Sequence, residues 1–324
     1  MSINRRAFLT GGLSAAAVGA SLPVLAVPLP RQGLNPTQAK AYRRLSQVDL
    51  DQTVALHVGW LEDQTTGRFA DLSNTDLSGL TLSRVSLEGA DLTGANLTET
   101  VFDEVDLSWA RFVGSDLSCA TLDFCCLAGT NFSKARLNQS RIVNQRPGDH
   151  GTDQAKSFDN VSFRHANLTC ARIFGHLEEV NLSGANLIAA DLSGSSFDQC
   201  EFVGADLTAA NLNNSEIVGS NLSSAVLRYS KLGGATLYMN DLSGADLTGA
   251  CMAGAFISGN YLTGAQIRNA DLRCAKIDNY DSVGLIRSLS ESEELGCQLD
   301  GAIINGRTFP WPGGQMPNRV WAET

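Results

Sequence analysis

From Leu72 to Ile142 every fifth residue is large and apolar: Leu72, Leu77, Leu82, Leu87, Leu92, Leu97, Phe102, Leu107, Phe112, Leu117, Leu122, Leu127, Phe132, Leu137 and Ile142. Two places before each stands a small or β-branched residue, from Ala70 and Thr75 to Ala135 and Ser140, with Leu80 the one bulky exception. The positions between are mostly polar, so one unit reads A-(D/N)-L-(S/T)-G. A period of five matches neither the 3.6-residue face of a helix nor the two-residue alternation of a strand. It predicts a repeat architecture, in which each unit buries its apolar pair against its neighbours.

The pattern lapses between Ile142 and Phe158, where Pro147, Gly148, Asp149, His150 and Gly151 replace the expected rung; residues 143–157 read as a loop extruded from a corner. Rungs return at Phe158, Phe163, Leu168 and Ile173 and slip by one residue to Leu177. They then run unbroken to Ile277. Ahead of the repeat, Asn35-Pro36 is a helix-start signal for a short helix over 38–46, and Asp49 or Asp51 can cap a second helix reaching Gly67. Leu50, Val54, Leu61 and His57 share one face of that second helix, which would cover the apolar end of the first coil. His57 and Trp60 read as packing residues. Behind the repeat, residues 283–295 suggest a short helix, Cys297/Leu299 and Ala302/Ile304 two last rungs, and the Pro/Trp-rich tail a second lid.

The repeat is similar to that of the pentapeptide-repeat family, whose A-(D/N)-L-(S/T)-G unit it carries across most of its length. The resemblance implies an all-β solenoid, a right-handed quadrilateral β-helix with four pentapeptides to a coil. Forty rungs then make about ten coils, with a small N-terminal helical cap and a C-terminal helix and irregular cap. In that frame the central Leu or Phe and the small residue before it point inward. Asp or Asn before the Leu closes a local turn, and Gly two after it takes backbone angles that other residues resist. Counting faces through the insertion stacks Leu72, Leu92, Phe112, Phe132, Phe163, Leu182 and Phe202 on face one. Judged by the position before the Leu, faces one and two are the more acidic. Trp109, Tyr238, Met239, Phe256 and, just around the corner, Tyr261 form an aromatic corner that is a candidate partner patch.

The first residues add an address. Asn4-Arg5-Arg6-Ala7-Phe8-Leu9, followed by a Gly/Ala-rich apolar run to Ala26, resembles a twin-arginine export signal, with Arg5, Arg6, Phe8 and Leu9 as the receptor-read element. The organisation expected is therefore a signal over 1–26, a linker and helical cap over 27–67, the repeat over 68–282 and a C-terminal cap over 283–324. No membrane span is expected once the signal is removed. Removing residues 1–26 takes away Arg5 and Arg6 and no acid, and so moves the formal charge from −10 to −12. That balance argues against direct nucleic-acid binding, which needs a basic patch.

Catalytic chemistry finds no foothold in the pattern. The four histidines, His57, His150, His165 and His176, lack metal-ligand spacing, the eight cysteines form no CxxC pair, and the aspartates recur with the backbone period. No enzyme, metal or cofactor is expected, and Cys125, Cys200 and Cys297 read as buried free thiols. Asp149, His150 and Asp153 on the loop are the polar cluster outside the repeat and hence a candidate binding site. The leading expectation is an exported, non-enzymatic scaffold in the periplasm, binding a protein partner through its acidic face, loop or aromatic corner. The alternative comes from the resemblance: cytosolic relatives inhibit or protect gyrase by mimicking the charge and shape of duplex DNA.

Overall fold

A computed structural model describes residues 42–144 and 158–278, with backbone alone at 276–278, 303–304 and 307–308. The expected export signal, the 38–41 part of the first helix, and Asp149, His150 and Asp153 lie outside the described residues. The chain divides at Ala41/Tyr42, and everything described belongs to the second unit.

That unit is an all-β parallel solenoid. Each polypeptide turn brings a residue beside the one twenty positions earlier, four rungs back. One column of parallel bridges runs Asp71, Asp91, Arg111, Asn131, Ser162, Asn181, Glu201, Asn221, Asp241, Tyr261. We call the side bearing this column side one, and the next three rungs of each turn sides two, three and four. The step from Asn131 to Ser162 absorbs the insertion and the step from Ser162 to Asn181 the one-residue slip, so the face count made on the sequence holds. Phe112, Phe132 and Phe163 accordingly stack, with ring centroids 4.7 and 5.0 Å apart and planes 17° and 6° from parallel.

The core is one continuous column of the inward residues. Leu77, Leu92, Phe102, Leu117, Phe132, Leu187 and Phe197 are completely buried, as are Ala90, Ala110, Ala190 and Ala210 two places before their rungs. Each buried Leu or Phe contributes about 1.5–3 kcal/mol by leaving water, and no side chain of a hairpin-thin repeat could do so without the turns above and below. Inward asparagines satisfy themselves on the backbone: Asn240 donates from Nδ2 to the Ile217 carbonyl at 2.8 Å and accepts the Ser220 amide at 2.8 Å, and Asn260 repeats the arrangement one turn on.

Two kinds of rung alternate around the turn. Most close as a tight turn, and in many of these the Asp or Asn before the Leu accepts the amide two residues on, as Asp71 does from Ser73, Asp91 from Thr93 and Asp206 from Thr208 (3.0, 2.9 and 3.0 Å). The rest are three-residue strands, on side three from Thr81–Ser83 to Arg172–Phe174 and on side four from His176–Glu178 to Lys276–Asp278. The residues before their central rungs are Thr81, Val101, Thr121, Arg141, Arg172, His176, Ser196, Glu216, Thr236, Phe256 and Lys276. None is Asp or Asn, so the usual side-chain acceptor for the turn is missing there; Arg111, Cys126, Arg136 and Val226 lack it too and still close as turns, so its absence permits the strand without dictating it. The sheet moves from side three to side four where Ile173 and Leu177 are separated by four residues instead of five.

The corner two residues after each rung lies in the left-handed region whatever occupies it. Gly79, Gly204 and Gly264 adopt φ of +63 to +70°, and Glu99, Trp109, Phe124 and Tyr229 adopt +54 to +61°. Glycine is favoured there but not required.

The lead-in departs from expectation. In place of a helix ending at Ser46, Arg43–Arg44 extends and pairs in parallel with Thr75–Asp76. A single helix, α1, spans Gln47–Glu62, capped by Ser46 and not by Asp49 or Asp51. Asp49 sits three residues in: its amide donates to Ser46 Oγ and its carboxylate accepts the Ser46 amide, both at 3.2 Å, which satisfies two otherwise orphaned donors. Leu50, Val54 and His57 are buried as expected, while Leu61 is half-exposed.

Together these residues close the open edge of the first turn on every side. Arg43–Arg44 covers side two. On side three the Gln47 amide takes the place of a strand, donating to the Thr81 carbonyl (2.7 Å) and accepting the Thr81 amide (3.0 Å). His57 closes the other two: Nε2 meets the Glu88 carbonyl on side four at 3.1 Å, and Nδ1 accepts the Ala70 amide on side one at 3.2 Å. Its role exceeds packing.

Two boundaries also shift. Val143, expected in the loop, ends the strand Arg141–Val143, and the Asn144 amide donates to the Phe174 carbonyl at 2.9 Å, because the ladder above still offers partners. Ile303–Ile304, expected as a further rung, pairs antiparallel with Arg307–Thr308. The intervening Asn305-Gly306 is a strongly hairpin-favouring dipeptide.

Candidate functional site

Because the inward positions are consumed by the core, any recognition surface must come from the outward ones. On sides two and three acids and bases interleave. Arg136 pairs with Asp116 (3.4 Å) and Arg228 with Asp246 (2.5 Å) on side two. On side three Arg84 pairs with Glu104 (3.4 Å) and Arg141 with Asp123 (3.0 Å). Burial alone would push the Asp246 carboxyl up, yet the Thr248 hydroxyl and amide and the Arg228 guanidinium outweigh it and hold it below the usual carboxylate range. At Asp123 burial wins and raises it despite Arg141, with Asp103 adding to the rise.

Side four differs. Its outward residues include Glu88, Asp106, Asp159, Glu178, Glu179, Asp198 and Glu216, and from Ser86 to Gly259 no described residue of that side is Lys or Arg. The expectation that sides one and two are the more acidic is therefore corrected. Side one also carries Arg111, Lys134 and Arg164, and side two Arg136, Arg228 and Arg268; the earlier count took one outward position per rung when each rung has up to three.

Above Glu216 the same side turns apolar. Val218 pairs across the ladder with Tyr238, and Thr236 with Phe256. Tyr238, Met239 and Tyr261 are exposed, whereas Phe256 is half-buried. Trp109 does share the corner column of Met239, but it lies six turns earlier and so belongs to no common patch with Tyr238. It is 61 % exposed and its ring lies over Gly129, where an added Cβ would come within 2.4 Å of Cε3. Tyr229 over Gly249 and His165 over Gly184 repeat this pairing of a large corner residue with a glycine one turn on. That offset of twenty, or nineteen across the slip, was readable in the sequence once the columns were known.

The described cysteines are free, and Cys125 and Cys200 face inward, their thiols pushed up to about 12 by burial. Among the described residues no three His, Cys, Asp or Glu side chains are grouped to hold a metal ion, and no helix is long and apolar enough to cross a membrane.

A family model described as pentapeptide repeats matches residues 81–118, 176–214, 205–238 and 241–276, in eight copies. Among solved structures, HetL, a pentapeptide repeat protein involved in heterocyst differentiation regulation from the cyanobacterium Nostoc sp. strain PCC 7120, is 27% identical over 72% of this chain and 91% of its own, with a TM-score of 0.42. A pentapeptide repeat protein from the Arabidopsis thaliana thylakoid lumen is 33% identical over 31% of this chain and 69% of its own, with a TM-score of 0.30. QnrB1, a plasmid-mediated fluoroquinolone resistance protein, is 22% identical over 68% of this chain and 90% of its own, with a TM-score of 0.27. No curated protein matches.

Proposed function

The chain belongs to the pentapeptide-repeat family, and from that premise we propose that it is an exported, non-enzymatic scaffold that binds a protein partner through side four. The observation that carries this reading is the set of side-four acids from Glu88 to Glu216, among which no described residue of that side is Lys or Arg, continued by Val218, Tyr238 and Met239. A rigid ladder holds those groups at fixed spacing, so a complementary partner pays little to find them. Export rests on Arg5-Arg6-Ala7-Phe8-Leu9. The same reading takes the solenoid as a right-handed, four-sided coil of ten turns with a lid at each end; the bridge column from Asp71 to Tyr261 supports the count.

Cell fractionation with Arg5→Lys/Arg6→Lys tests the export half: the wild type should be cut near Ala26 and found in the periplasm, and the variant should accumulate uncut in the cytoplasm. Cross-linking in the periplasm tests the other half: a partner trapped by the wild type should be lost in Glu178→Lys/Glu216→Lys. An uncut cytoplasmic wild type that inhibits or protects gyrase in a supercoiling assay would instead favour the DNA-mimic reading. What speaks for that second reading is the recurrence of acids on side four in most turns from Glu88 to Glu216.

A further inference from the structure

His57 is fully buried between α1 and the first turn, stacked at 5.8 Å on Trp60 and met edge-on by Phe69 at 5.6 Å. Its hydrogen bonds leave one tautomer. The Ala70 amide can only donate, so Nδ1 is the unprotonated acceptor; the Glu88 carbonyl can only accept, so Nε2 carries the proton. A second proton would have to sit on Nδ1, facing the Ala70 N–H, where it would replace an acceptor by a donor. We propose that α1 is an acid-released clasp: protonation of His57 at Nδ1 sets a donor against the Ala70 amide and so breaks the hold on side one, and α1, left with the Glu88 contact on side four, lifts from the edge of the first turn.

Beyond the Glu88 carbonyl, the described surroundings offer the imidazolium little compensation. Glu88 meets the ring through its backbone carbonyl. Asp71 and Asp91 engage the Ser73 and Thr93 amides through their carboxylates, and Asp49 engages Ser46 at the far end of α1. Arg68, on the segment leaving α1, is exposed and of the same sign. Burial holds the ring below its ordinary 6.5 against the opposing pull of the Glu88 carbonyl. The closed state thus binds fewer protons than the open one, and the clasp is complete above about pH 6.5 and weakens as the pH falls below it. One proton per opening makes the opening constant rise by up to about tenfold for each pH unit in that window.

Amide exchange on the full chain reads this directly. After correction for intrinsic rates, opening at the Ala70 and Thr81 amides should be greater at pH 5.5 than at pH 7.5, by up to about tenfold, while Leu212, held by the Lys231 carbonyl in a later turn, should not change. His57→Gln, which keeps a donor and an acceptor but no titrating group, should flatten the dependence. If that variant does not fold, imidazole nitrogen resonances of the wild type serve: a ring that stays neutral as the Nε2–H tautomer at pH 5.5 in the closed state supports the clasp. Titration of His57 near pH 6.5 without loss of protection at Ala70, or an unchanged pH dependence in His57→Gln, would overturn it.

Discussion

Side two and side four are built on the same ladder, with large apolar rungs and small residues turned inward on both, yet they present different surfaces. Side two is a stack of tight turns in which two aspartates are tied twice, Asp116 to the Ser118 amide and to Arg136 one turn away, and Asp246 to Thr248 and Arg228. Side four, in its later turns, is a stack of short strands, and from His176 to Gly259 no described residue of that side is Lys or Arg. The contrast shows that inward residues specify the fold and outward ones are free to specialise. Chemistry that recurs on every side belongs to the coil, and chemistry confined to one side calls for another explanation.

The largest test asks whether the two sides share one core. Leu207→Asp on side two and Phe197→Asp on side four should each abolish folding, since a buried carboxylate without a partner costs more than about 4 kcal/mol. Circular dichroism of either variant with a native melt would separate the cores and undo the comparison. Next come two glycines of equal backbone geometry and unequal surroundings. Gly129→Ala drives a methyl into the Trp109 ring and should cost about 2–3 kcal/mol, whereas Gly79→Ala, with nothing within 4 Å, should cost only the left-handed strain of about 1 kcal/mol. Equal losses in denaturant melts would mean that Trp109 swings clear freely.

Smaller effects sharpen the electrostatic half. Asp246→Asn should cost about 1 kcal/mol near neutral pH by removing the charge that Arg228 meets. Because the native Asp246 carboxyl is held below its ordinary 3.8, its contribution is present above that pH and lost as the pH falls through and below it, so wild type and variant should converge in acid. Glu178→Gln on side four should lie within about 0.5 kcal/mol of wild type at any pH. A marked stabilisation by Glu178→Gln would show that the side-four acids strain the coil.

Rungs, the insertion corner and the stacked Phe column were legible in the sequence, because a five-residue period with one bulky and one small inward residue fixes them and a miscount would bury Pro147 or His150. Surface chemistry was less so. Sides exist only once the period of twenty is wound and its slips are placed, and a count restricted to the residue before each Leu misses Glu178, Glu179 and Asp198. The sheet's move from side three to side four left a partial signal, the absence of Asp and Asn at Thr81, His176 and their equivalents, which Arg111, Cys126 and Arg136 share without forming three-residue strands. The start of α1 was misread because Ser46 and Asp49 were not paired as one box, and the strand at Arg43–Arg44 has no pattern of its own. It is extended because Thr75–Asp76 offers it an edge.

The long insertion after Val143 and the one-residue deletion between Ile173 and Leu177 fall at the same corner, in successive turns, while the bridge columns of sides one, two and three pass by in register. In the language of crystals this is a pair of defects confined to one edge of the lattice, with the surrounding planes unbroken. Such a lattice tolerates editing there: a foreign peptide spliced into that corner should perturb the melt far less than the same peptide between two rungs of side two. The corner adjoins side four, so material added by evolution or by design arrives next to the acidic strip.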